Sequence, residues 1–142
     1  MTNPYKEYYL ENAAAIFGDM MNCVVNYYKI DGDEFLQKFI SSGVANQFEI
    51  GHPNYIAGKS GFEIANEVLK KDDRFENFYC ENKTPEYWAG WVLAKYQWYK
   101  NKPFKEILSY LNFKKITDLY YPLHEADITK FFDMADKTKK AV

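Results

Sequence analysis

The chain has 142 residues, a formal charge of −2, and a composition that is 19% aromatic and 27% charged. That length fits one domain able to bury roughly two-thirds of its unfolded surface, and thirteen tyrosines with eleven phenylalanines call for a core built from rings. The near-neutral balance excludes a global attraction to nucleic acid or anionic membrane, and Arg74 is the only arginine, so bidentate phosphate or guanine contacts are scarce.

The periodicity predicts a first helix from Pro4 to about Lys29, with Asn3 as its cap. Leu10, Ala13, Ala14, Phe17, Met20, Met21, Val24, Val25 and Tyr28 recur three and four apart along it. Gly18 reads as a weak point, costing about 1 kcal/mol against alanine. Asp31 with Glu34 has capping-box spacing and opens a second helix with Phe35, Leu36, Phe39 and Ile40 inward. Ser41-Ser42-Gly43 ends or kinks it before Val44, Ala45 and Phe48 resume the pattern.

His52 to Gly58 reads as a turn with room for one helical turn inside it, and Ser60 with Glu63 opens a third helix through another capping box, with Gly58 and Gly61 permitting a tight turn. Residues 72–83 read as an irregular connector pinned by Phe75, Phe78 and Tyr79. Thr84-Pro85-Glu86 then starts a helix that holds all three tryptophans. It is apolar nearly all round, so it must be surrounded, and Gly90 and Ala94 give it one small face where another helix can approach closely. It ends near Asn101, ahead of Pro103. Pro103 opens a further helix carrying Phe104, Ile107, Leu108 and Leu111, and Asn112 caps one that Pro122 stops. Glu125 or Asp127 begins the last helix, and the polar segment from about 137 reads as a frayed tail.

The expected fold is therefore all-α: a single domain over 1–142, an irregular bundle of about six to eight helices packed around a central aromatic helix at 85–101. The longest apolar run, Tyr87 to Ala94 counting Gly90, is far short of the roughly 20 residues that span a bilayer, so no membrane association is expected. Met1-Thr2-Asn3-Pro4-Tyr5 has neither the basic start nor the apolar run of a signal peptide. With Cys23 and Cys80 far apart, the expected setting is the reducing cytoplasm.

Chemistry-bearing motifs are few. Gly58-Lys59-Ser60 resembles the end of a phosphate-binding loop, but the glycine required five residues earlier is Pro53. His52, His124, Cys23 and Cys80 lack the paired spacing of zinc ligands, so neither metal nor cofactor is expected. His124, Glu125 and Asp127 place an imidazole beside two carboxylates, the one cluster that suggests small-substrate chemistry. Lys95, Lys100, Lys102, Lys105, Lys114 and Lys115 form a basic stripe opposed locally only by Glu106. The helices on either side of Asn112 have the outline of a helix-turn-helix, without a turn glycine and without arginine or glutamine on the second helix to read bases.

Seven segments are distinctive together: Asn3-Pro4-Tyr5; Ile30 to Phe35; Phe39 to Ala45; Tyr55 to Gly61; Pro85 to Tyr99; Phe104-Lys105-Glu106-Ile107; and Tyr121 to Ile128. In this order the chain resembles a family of small uncharacterised helical proteins from low-GC Gram-positive bacteria, over Asn3 to about Asp136. The genes of that family often sit beside a short helical protein and an ADP-ribosyltransferase-like protein, which implies a toxin–antitoxin or similar conflict module. The leading expectation is a non-enzymatic protein-interaction module, an antitoxin or accessory partner of such a toxin. Its binding surface would be the six lysines together with His124, Glu125 and Asp127. The alternatives are a DNA-binding regulator of its own operon using the lysines of 100–115, and an enzyme built on the 124–127 turn.

Overall fold

The computed structural model describes residues 3–72 and 84–141. The 72–83 connector, from 73 onward, lies outside them, as do Arg74 and Cys80. Every element among the described residues is helical. The α-helices are α1 (Leu10–Asn22), α2 (Gly32–Ser41), α3 (Val44–Glu49), α4 (Gly61–Leu69), α5 (Pro85–Lys100), α6 (Phe104–Tyr110), α7 (Phe113–Asp118), α8 (Tyr120–Leu123) and α9 (Ile128–Ala141), with a 3₁₀ turn at Glu7–Tyr9 and π turns at Cys23–Tyr27 and Asn54–Gly58. Among the described residues no helix is long and apolar enough to cross a membrane.

Of the 16 residues of α5, all of them described, Tyr99 alone is exposed. The helix is the post around which the others stand, as its all-round apolar character predicts. Its start follows local chemistry: the Thr84 hydroxyl accepts from the Tyr87 amide at 3.0 Å, and Pro85 occupies the first helical position. Asn101 closes it in the left-handed conformation. The other cap signals behave alike. Asp31 accepts from the Glu34 amide at 3.0 Å, Asn112 from the Lys115 amide at 2.8 Å, and Ser60 and Glu63 form a reciprocal capping box. Gly43, at φ +87°, turns the chain between α2 and α3.

Where α1 crosses α5 the packing is backbone on backbone. A Cβ at Gly90 would sit 2.8 Å from the Phe17 carbonyl oxygen and 3.0 Å from the Gly18 Cα. A Cβ at Gly18 would meet both the ring and the carbonyl oxygen of Tyr87 at 2.8 Å. Gly18 is therefore not a weak point in α1 but half of the crossing between α1 and α5. Gly61 does the same for α4, since its Cβ would lie 2.4 Å from the Met20 nitrogen. The tight turn expected there is instead a close approach.

The rings fill two clusters on either side of α5. Phe17 stacks on Phe104 at 5.1 Å and meets Phe39 and Phe48 edge-on at 5.5 and 5.2 Å. Phe131 of α9 meets Trp88 at 5.7 Å and Tyr96 at 6.1 Å.

Three predicted boundaries move. α1 begins at Leu10, after a 3₁₀ turn at Glu7–Tyr9, rather than at Pro4. The reason is tertiary: the Tyr5 carbonyl accepts the Trp98 indole N–H at 2.8 Å, and its side chain lies against Gly51, which draws residues 3–6 off the helix axis. At its other end α1 widens into a π turn at Cys23–Tyr27 and stops at Lys29, which is left-handed. Pro122 does not stop a helix but sits inside the four-residue α8, where a first-turn N–H has no partner to lose. The segment from 137 is helical, because α9 runs on through Ala141.

Gly90→Ala tests the crossing. Glycine to alanine inside a helix ordinarily gains about 1 kcal/mol, whereas here overpacking against backbone predicts a loss of about 2–3 kcal/mol in urea unfolding. A neutral or stabilising result would mean that α1 and α5 part freely.

Candidate functional site

Four of the six predicted lysines stand beside carboxylates, two brought by the fold from elsewhere in the chain and two lying four residues further along it. Lys95 pairs with Glu11 of α1 and lies 4.0 Å from the centroid of the Trp91 ring. Lys100 pairs with Asp136 of α9 at 2.9 Å. Lys102 stands 4.0 Å from Glu106, and Lys114 stands 3.4 Å from Asp118. Lys105 and Lys115 are exposed on α6 and α7.

The amides that open α7 are also taken. Asp33 accepts from the Phe113 amide at 2.6 Å and from the Lys114 amide at 3.2 Å. Glu49 does the same for α6, accepting from the Phe104 amide at 2.8 Å, where the preceding residue is Pro103 and provides no side-chain cap. Burial raises the Glu49 carboxyl above its ordinary value, against the lowering effect of that hydrogen bond.

The turn residues separate as well. His124 stacks on Tyr120 at 4.1 Å, with Nδ1 2.6 Å from the Tyr120 carbonyl oxygen. Its Nε2 is 3.8 Å from the exposed Glu125 carboxylate. Asp127 turns away to cap α9, accepting from the Thr129 amide and hydroxyl at 2.9 Å each, and these bonds hold its pKa below the ordinary 3.8. The turn therefore assembles a ring stack and a helix cap rather than a catalytic triad. Gly58-Lys59-Ser60 is likewise committed, with Lys59 bound to Glu67 at 2.5 Å and Ser60 capping α4. Among the described residues no group of three or more His, Cys, Asp or Glu is placed to hold a metal ion.

What the fold does assemble is a cleft of about 440 Å³ where α5, α6 and α9 end, lined by Tyr96, Lys100, Lys102, Tyr110, Asp136, Lys139 and Lys140. Two of the predicted lysines meet here with two that sequence reasoning missed. Lys139 and Lys140 lay in the presumed frayed tail, and only the continuation of α9 brings them to α5. Four ammonium groups face one carboxylate.

The floor is a directed hydrogen-bond chain. Tyr96 donates its single proton to Asp136 Oδ1 at 2.8 Å, so at the 3.0 Å contact between hydroxyls Tyr110 must donate to Tyr96. Lys100 donates to the other Asp136 oxygen. Both phenol protons point inward, and Tyr110 offers the cleft only an acceptor. An anion entering the cleft would meet chiefly Lys102, Lys139 and Lys140: Lys100 is held by Asp136 at 2.9 Å, whereas Lys102 stands 4.0 Å from Glu106. Burial raises the Tyr96 hydroxyl far above its ordinary 10.0, and the bond it donates to Asp136 adds to this.

Comparisons of the chain with protein-family models, with curated proteins and with solved structures return no match.

Tyr96 contributes to an alkaline limit on stability, together with Tyr5, whose hydroxyl burial also raises. The unfolded chain releases its phenol proton near pH 10 while the folded chain keeps it, so stability present below about pH 10 is lost as pH rises. Tyr96→Phe is expected to cost about 1–2 kcal/mol near neutrality and to flatten the fall between about pH 9 and pH 11. Urea unfolding across that range checks both, and an unchanged slope would mean that Tyr96 is not the buried phenol responsible.

Proposed function

We propose that the protein is a non-enzymatic interaction module that engages the acidic surface of a protein partner through the cleft at the ends of α5, α6 and α9. The observation that carries this reading is the convergence of Lys102, Lys139 and Lys140 on a floor of two tyrosines. Aromatic floors are favoured at interface centres, and lysines at a rim steer an acidic partner and fix its register. The family resemblance supplies the partner: the product of the neighbouring gene, an ADP-ribosyltransferase-like toxin, with this chain as its antitoxin or accessory subunit.

Operator binding is the weaker reading. A helix-turn-helix would present the start of α7 to DNA, and there a phosphate or base would meet the Asp33 carboxylate already bound to the opening amides.

Co-expression with the neighbouring gene and co-purification at micromolar concentration tests the proposal. A complex is expected, and it should weaken as salt rises. The Lys102→Glu, Lys139→Glu, Lys140→Glu triple variant should bind about tenfold or more weakly with its unfolding midpoint little changed. Absence of a complex, or one indifferent to the triple variant, would overturn the proposal.

A further inference from the structure

A second, separate cleft of about 270 Å³ lies where the start of α1, the last turns of α5 and the start of α9 meet. Its apolar walls are Trp98, Tyr99 and Phe132, with Leu10 and Ile128. The Trp98 indole offers its ring and not its donor, because its N–H already bonds the Tyr5 carbonyl at 2.8 Å. Tyr99 is 47% exposed and stacks on Phe132 at 4.9 Å with ring planes 9° apart. The charged lining is two carboxylates and one ammonium, Glu7, Glu11 and Lys95. Lys95 is bound to Glu11, lies 4.0 Å from the Trp91 centroid and is only 12% exposed, so the protein itself answers its charge. Glu7 has no ion-pair partner among the described residues. The positive ends of α1 and α9 have acids of their own in Glu11 and Asp127, and α5 finishes here with its partial negative charge. Two carboxylates against one ammonium leave the cleft with one excess negative charge beside aromatic walls.

We infer that this cleft takes an arginine side chain of a partner polypeptide. The guanidinium lies against the aromatic walls and reaches the Glu7 and Glu11 carboxylates, and the methylene stem runs along Leu10 and Ile128. The inference goes beyond the acidic-partner reading and does not rest on it, since no residue lines both clefts. Size selects a single side chain: small-molecule sites run to about 300–1,000 Å³. Charge selects a cation, because an anion would meet two carboxylates and an apolar group would bury Glu7 without a partner. The walls select guanidinium over ammonium. It is planar, weakly hydrated, stacks on rings and presents a fork of donors to carboxylates, whereas an ammonium is a strongly hydrated point charge. Lys100 does not take this role: it stands 5.5 Å from the Tyr99 centroid but is bound to Asp136 and lines the other cleft.

The probe is N-acetyl-arginine methylamide, titrated into the isotope-labelled full chain and followed by NMR shifts of backbone amides and of the Trp98 indole N–H. Saturable shifts are expected at that indole and at Glu7, Glu11, Tyr99 and Phe132, in the millimolar range of a single side chain. The citrulline analogue, which keeps the shape and loses the charge, should bind about fivefold more weakly, and the lysine analogue should also bind more weakly. Glu7→Gln should weaken the arginine probe by a similar factor and leave the citrulline probe unchanged, a difference that a merely structural role of Glu7 would not produce. Should that variant unfold, the comparison of the three probes on the unaltered chain carries the test. Absence of saturable shifts, shifts centred outside this cleft, equal binding of arginine with citrulline or with lysine, or indifference to Glu7→Gln in a folded protein each overturns the inference. None of these results touches the acidic-partner reading, which stands or falls on co-purification and on the lysines of the other cleft.

Discussion

Two glycines, Gly18 on α1 and Gly90 on α5, let the backbones of the two helices touch, and the rest of the structure is arranged around that contact. A Cβ at Gly90 would lie 2.8 Å from the Phe17 oxygen and 3.0 Å from the Gly18 Cα, so no side chain fits on Gly90 at the crossing. Trp88 and Tyr96 of α5 lie away from that contact. There they meet α8 and α9 and form the socket for Phe131. Helix α9 is held chiefly by that ring and by Asp136, which leaves its outer stripe open along α5. The seam that carries the candidate site follows from how tightly α5 is held on its opposite side.

The charge of the site also has a structural origin. Lysines near the C-terminal ends of α5 and α9 complement the dipoles of their own helices, and bringing both ends together concentrates them. Asp136 neutralises part of this charge and orients Tyr96 and Tyr110 at the same time. The floor is thus satisfied internally, and the excess cations at the rim are left for an anion from outside.

What could be read from the sequence was local. The caps at Asp31, Ser60, Thr84 and Asn112 involve amides three residues away, so their spacing is written directly in the chain. The burial of α5 was legible because no polar face exists along it. The candidate site was legible only in part. Lys100 and Lys102 were identified, but that they line one cleft with Lys139 and Lys140 depends on where α9 ends. The carboxylates that neutralise Lys95 and Lys100 come from residues 84 and 36 positions away. Lys139 and Lys140 were overlooked because a polar helix end and a frayed tail have the same composition. Gly18 was misread for a related reason: the propensity of a glycine inside a helix says nothing of the backbone that passes over it.

Hydrogen–deuterium exchange of the full chain, alone and with the neighbouring gene product, tests the central claim most directly. The account predicts new protection confined to the end of α5 and the outer stripe of α9, about residues 96–102 and 128–141. Protection centred instead on α7 and its lysines, with the α5–α9 seam unchanged, would contradict it.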